Sequence, residues 1–106
     1  MFTRVVEGKC KPGKTNEFCS TVTKKVLPIL QKQQGFQDEI VLVASTDPSQ
    51  VLMLSFWNTR EDAERYHREQ FTKIAEMVRP LGDGDPVVKA YDVNTSTVHH
   101  ITQKAA

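Results

Sequence analysis

The run Val51-Leu52-Met53-Leu54-Ser55-Phe56-Trp57, with six of its seven residues apolar, constrains this chain more than any other segment. A strand alternates its side chains between two faces, so a run this apolar needs protein against both of them. Phe36 to Ala44 is a second apolar, β-branched run, joined to the first by Ser45-Thr46-Asp47-Pro48-Ser49. A five-residue connection of this composition predicts an antiparallel hairpin. Helices can cover only one face of such a hairpin. The other face is left as an apolar surface larger than a monomer tolerates, which predicts a homodimer packed sheet on sheet.

The rest of the chain supplies the helices. Phe2 to Lys11 reads as a first strand, closed by Pro12-Gly13. A helix opening near Thr15 or Asn16 carries Phe18, Cys19, Val22, Val26, Ile29 and Leu30 at helical spacing, with Gly35 as its stop. Pro28 lies inside that pattern and predicts a kink or break near Val26-Leu27. A second helix begins at Asn58 or Thr59, with Glu61 or Asp62 as a capping-box partner. Its apolar stripe is Ala63, Tyr66, His67, Phe71, Ile74, Val78 and Leu81, and the run Glu61, Asp62, Glu64, Arg65, Arg68 and Glu69 reads as solvated. Gly82-Asp83-Gly84-Asp85-Pro86 ends this helix, and Val87 to Val93 is a fourth strand.

The order β-α-β-β-α-β predicts a ferredoxin-like α+β fold, a four-stranded antiparallel sheet with both helices on one face. Residues 1–106 read as a single domain with its core expected in 2–93. Residues 94–106 read as a C-terminal strand extension or arm that frays at Lys104-Ala105-Ala106.

Charge and motifs narrow the function by exclusion. Fourteen basic and thirteen acidic residues leave a net charge of +1, which offers no footprint for nucleic acid or an anionic membrane surface. The N-terminus lacks the apolar core of a secretory signal, and no run is long enough to span a membrane, so a cytoplasmic protein is expected. Cys10 and Cys19 have neither a disulfide-framework nor a metal-ligand pattern. His99 and His100 are adjacent and would point to opposite faces of an extended strand, so no metal site is expected. There is no phosphate-binding glycine loop or dinucleotide fingerprint, and no cofactor is expected.

What remains is a small-molecule pocket between sheet and helix, lined by Trp57, Tyr66, His67, Phe71 and Tyr91. Trp57 offers an indole donor and a flat wall. Tyr66 and Tyr91 offer phenolic donors, and Asn58 reads as a helix cap. His67 is the candidate base, because imidazole accepts a proton near neutral pH.

Lys11-Pro12-Gly13, Gly35-Phe36, Met53-Leu54-Ser55-Phe56-Trp57-Asn58-Thr59 and Asp62-Ala63-Glu64-Arg65-Tyr66-His67 together resemble the antibiotic biosynthesis monooxygenase domain family, over roughly residues 2 to 93. The resemblance implies a dimeric α+β barrel of ferredoxin-like protomers. In the haem-degrading branch the strand-three tryptophan corresponds to Trp57. The asparagine and iron-ligating histidine of that branch fall at about Val6 and Met77, which disfavours haem degradation. In the quinol-oxygenase-like and isomerase-like branches a histidine lies nine residues after the strand-three aromatic. That position is Tyr66 here, with His67 one place on and about 100° further around the helix. Either residue can occupy the pocket, depending on whether the loop at Asn58-Thr59 carries an extra residue. The implied activity is cofactor-independent oxidation of a small aromatic or quinol-type compound. The alternative is a non-catalytic, small-molecule-binding or stress-related dimer of the same fold.

Overall fold

The computed structural model describes residues 1–101. Strand β1 (Phe2–Lys9) leads into α1 (Thr15–Thr21), a π-helical turn (Val22–Val26) and α2 (Leu27–Gln31). The hairpin of β2 (Phe36–Val43) and β3 (Gln50–Trp57) follows. After it come α3 (Arg60–Tyr66), a second π-helical turn (His67–Phe71), α4 (Thr72–Val78), a short 3-10 turn (Arg79–Leu81) and β4 (Val87–Asp92). The four strands pair antiparallel in the order β2-β3-β1-β4, the ferredoxin-like α+β arrangement that the element order predicts.

Registers sort the sheet into two faces. Beneath the helices lie Phe2, Arg4, Val6 and Gly8 of β1, paired with Trp57, Ser55, Met53 and Val51 of β3. Phe18, Val22, Val26 and Leu30 from the first helical segment and Ala63, Tyr66, Ile74 and Leu81 from the second close the core over them. Ile40, Leu42, Val87 and Tyr91 remain exposed on the opposite face. Residues 94–101 fold back over one corner of that face: His99 packs on Phe56, with ring centroids 5.1 Å apart, and meets Asp38 at 3.5 Å. His99 and His100 therefore belong to a turn and not to an extended strand, His100 having a φ of 56°. The expected fraying of Lys104 to Ala106 lies outside the described residues.

Pro28 does not break the first helix. The backbone loosens one turn earlier, where the Leu27 N–H reaches back to the Val22 carbonyl in π-helical fashion, and the chain stays helical through the proline. The second helix is capped by Thr59, whose Oγ1 accepts from the Asp62 N–H at 3.1 Å. Asn58 instead accepts from Gln37 Nε2 at 2.6 Å. Asp62 is not on a solvated face as expected: it is 8% exposed and holds Arg65 at 3.0 Å.

Gly35 explains that burial. It has a φ of +81°, and a Cβ on it would collide with the Asp62 carboxylate. Its carbonyl accepts from the Asn58 N–H at 2.8 Å, so the end of the first helix and the start of the second are locked together. Gly35→Ala is expected to cost about 2–4 kcal/mol, from left-handed backbone strain plus overpacking. A lowered urea midpoint at constant m-value would show this; an unchanged midpoint would mean that the contact relaxes freely.

Candidate active site

Across β1, β3 and β2, residues facing the helices fall into rows. Phe2, Trp57 and Phe36 form an aromatic row, and Val6, Met53 and Val41 an aliphatic one. Between them Arg4, Ser55 and Glu39 form a polar row. A polar row inside an apolar layer is costly unless its members are paired. It is also the natural place for chemistry.

The phase of β2 depends on a bulge. The register slips between Phe36 and Asp38, so Gln37 is an extra residue. Glu39, Val41 and Val43 thereby turn toward the helices, and Asp38, Ile40 and Leu42 away from them. Without the slip, Asp38 would face inward.

Arg4 is 5% exposed. Its guanidinium lies over two aromatic rings, with Cζ 5.4 Å from the centroid of Tyr66 and 4.9 Å from that of Phe71. Its Nη2 donates to His67 Nδ1 at 2.7 Å. Arginine has no acceptor, so the contact fixes Nδ1 of His67 as unprotonated and puts the ring proton on Nε2. Burial and the Arg4 charge both push the His67 pKa down. His67 is thus a neutral acceptor for Arg4.

Tyr66 is buried and stacks on Trp57, with centroids 4.8 Å apart. Trp57 is fully buried and donates its indole N–H to Ser55 Oγ at 2.9 Å. Burial pushes the Tyr66 phenol up to about 12, against the pull of the Arg4 charge, so Tyr66 is a neutral hydrogen-bond donor.

A cavity of about 140 Å³ lies between this row and the helices. Arg4, Glu39, Ser55 and Tyr66 stand at one end, Val6, Met53, Phe71 and Ile74 along the walls, and the segment Gly82 to Pro86 contributes beyond them. Glu39 Oε2 is buried and has no hydrogen-bond partner among the described residues. Burial first, and the neighbouring Asp38 charge second, raise the Glu39 carboxyl from 4.5 to about 7. Cys10 also borders the cavity, but burial pushes its thiol up, away from a reactive thiolate.

Of the residues expected to line a pocket, Tyr66 and Phe71 stand in this wall. Trp57 lies one layer behind it, under Tyr66. His67 is exposed and borders a separate outer groove with Arg60, Glu64, Arg68, Val88 and Ala90. The reason is local: His67 follows Tyr66 by one residue, about 100° around the helix, and so points elsewhere, and the helix then widens through the π-helical turn His67–Phe71. That turn brings Phe71, five residues on, to the same cavity as Tyr66. Tyr91 is corrected outright: paired with Thr3, it is 50% exposed on the far face of the sheet. Arg4, Glu39 and Ser55 are the residues that sequence reasoning missed. Arg4 and Ser55 could have been found as polar residues in the inward phase of two otherwise apolar strands; Glu39 could not, because the bulge sets its phase.

The family model for antibiotic biosynthesis monooxygenase matches residues 1–85. The chain belongs to this family. None of the curated proteins matches it in sequence. Among solved structures, a monooxygenase of Streptomyces coelicolor in complex with the ligand nanaomycin D is 19% identical, with a TM-score of 0.76 over 90% of this chain and 88% of that one. SnoaB, a cofactor-independent oxygenase from Streptomyces nogalater, is 18% identical, with a TM-score of 0.74 over 91% and 95%. A conserved protein from Methanosarcina mazei is 24% identical, with a TM-score of 0.71 over 86% and 91%. At these identities the likeness establishes the family's fold. No described helix is long and apolar enough to cross a membrane.

Glu39 gives the site a pH signature. Because its folded pKa is raised, the associated stability is fully present below 4.5 and lost as pH rises through about 7. Glu39→Gln is therefore expected to stabilise the protein at pH 8 by about 1–3 kcal/mol, after allowance for residual solvent screening. Chemical denaturation should show the gain shrinking toward pH 4.5. A gain equal at both pH values would mean that the carboxyl is not held in its raised state.

Proposed function

We propose that this chain is a cofactor-independent monooxygenase acting on a small aromatic or quinol-type compound, with Glu39 as its general base. The observation that carries this reading is the unpaired, buried Glu39 oxygen in a mostly apolar cavity that Arg4 and Tyr66 also line. A base whose pKa lies near the working pH transfers protons most effectively. Family membership and the oxygenase neighbours support the same reading.

The chemistry follows from the residues. A ring hydroxyl donates its proton to Glu39 and becomes an aryloxide, whose charge faces Arg4 and the Tyr66 hydroxyl. An electron-rich ring carbon bonds one oxygen atom of dioxygen, and the proton held by Glu39 returns to the distal oxygen to give a hydroperoxide. The ring hydrogen and that distal hydroxyl then leave as water, and a ring carbonyl remains. One oxygen atom stays in the product and the other ends in water, with all four electrons supplied by the substrate.

His67 has a supporting place in this scheme. Its Nδ1 lone pair is engaged by Arg4, so it positions the guanidinium and does not take the substrate proton. In oxygen-uptake assays on a phenol and quinol panel, Glu39→Gln is expected to lose about 100-fold or more, and His67→Ala less than tenfold. The reverse order would return the base role to His67. Ligand binding with no uptake in wild type would favour the non-catalytic binding dimer.

The same reading includes a homodimer through the open sheet face, where Ile40, Leu42, Val87 and Tyr91 are exposed. Light scattering is expected to give about 24 kDa, twice the chain mass of 12.0 kDa, and Leu42→Lys is expected to shift it toward the monomer. A wild-type monomer at micromolar concentration would remove the dimer.

A further inference from the structure

We infer that the cavity selects a single aromatic ring carrying two adjacent oxygen substituents, a catechol-type compound, over para-quinols and fused-ring substrates. The inference rests on the proposed function for its substrate class, and on the geometry of the cavity for its size and substitution pattern.

Size comes first. A dry cavity of about 150 Å³ lined by aliphatic and aromatic side chains holds one benzene molecule. At about 140 Å³ this cavity is of that scale, so one six-membered ring fills it. A second fused ring would exceed this volume and would have to crowd the walls or reach out toward Gly82 to Pro86.

The placement of polar groups decides the substitution pattern. Arg4, Ser55 and Glu39 share one level of the sheet, and Tyr66 stands over them. Ser55 Oγ already receives the indole proton of Trp57. That leaves an unpartnered acceptor at Glu39 Oε2 and donors on Arg4 and Tyr66, all at the same end. The next inward-facing row lies two residues along each strand, ~7 Å away, and consists of Val6, Met53 and Val41.

A hydroxyl that donates to Glu39 can have a neighbour on the adjacent ring carbon that accepts from Arg4 or Tyr66. Both polar functions are then satisfied at one end. A para-oxygen would instead stand across the ring, at the level of Val6 and Met53, and would be buried without a partner. That loss is of the size of a missing hydrogen bond, about tenfold or more in affinity.

The test is calorimetric titration under nitrogen with catechol, hydroquinone, naphthalene-2,3-diol and anthrone, followed by oxygen uptake with the same compounds. Catechol is expected to bind about tenfold or more tighter than hydroquinone, with no measurable binding of the two fused-ring compounds. Glu39→Leu, which removes the acceptor, is expected to bring the catechol-to-hydroquinone ratio close to one. Equal affinities of catechol and hydroquinone in wild type would overturn the substitution pattern, and binding of anthrone as tight as that of catechol would overturn the size limit. Anaerobic titration reads occupancy alone, so catechol binding without oxygen uptake would remove the monooxygenase reading and leave the binding preference standing.

Discussion

Burying Arg4 is the constraint on which the rest of this site depends. A guanidinium cannot give up its charge, and it is tolerated inside only where rings and acceptors surround it. Here Tyr66 and Phe71 supply the rings and His67 the acceptor. Each of the three is on the second helical segment, so that helix must sit at one height and one rotation over β1. The π-helical turn His67–Phe71 makes this geometry available, because a regular helix would carry Tyr66 and Phe71 to different sides.

The anionic side of the same row is left unfinished. Glu39 faces the cavity with one oxygen unpaired, and no described side chain relieves it. Among the described residues no ion pair joins it to Arg4, which stands two strands away in the row and gives one N–H to His67, its other donors remaining for a ligand. Proteins rarely keep an uncompensated buried carboxyl without a use for it, and raised carboxyl pKa values concentrate at sites of proton transfer. On the proposed function, stability and activity pull in opposite directions at this residue. In the proposed reaction the two cavity ends divide the work, the polar end meeting charge and the aliphatic walls the ring.

Much of this architecture was legible in the chain. The hairpin followed from two apolar runs about a short polar loop, and the helices from their stripes and stops, with Thr59 capping the second as one of two expected starts. The tyrosine and phenylalanine that reach the cavity, Tyr66 and Phe71, were within the expected set. Tyr91 was misplaced because β4 was read by alternation alone. Nothing local tells which of its faces meets the helices until its pairing with β1 sets Tyr91 beside Thr3. Asp62 was misread because its burial depends on the close approach of Gly35, which lies on another element.

By itself, then, the sequence determined the elements, their order and the ferredoxin-like α+β fold, since these rest on side-chain period and on turn chemistry that act over a few residues. Tertiary structure alone decided which polar groups meet. The bulge at Gln37 turns Glu39 inward in place of Asp38, and the π-helical turn brings Phe71 round to the cavity beside Tyr66. Both are one-residue changes of phase. Their cost is local, but the packing that favours them is contributed by strands and helices far apart in the chain, so no local pattern could have announced them.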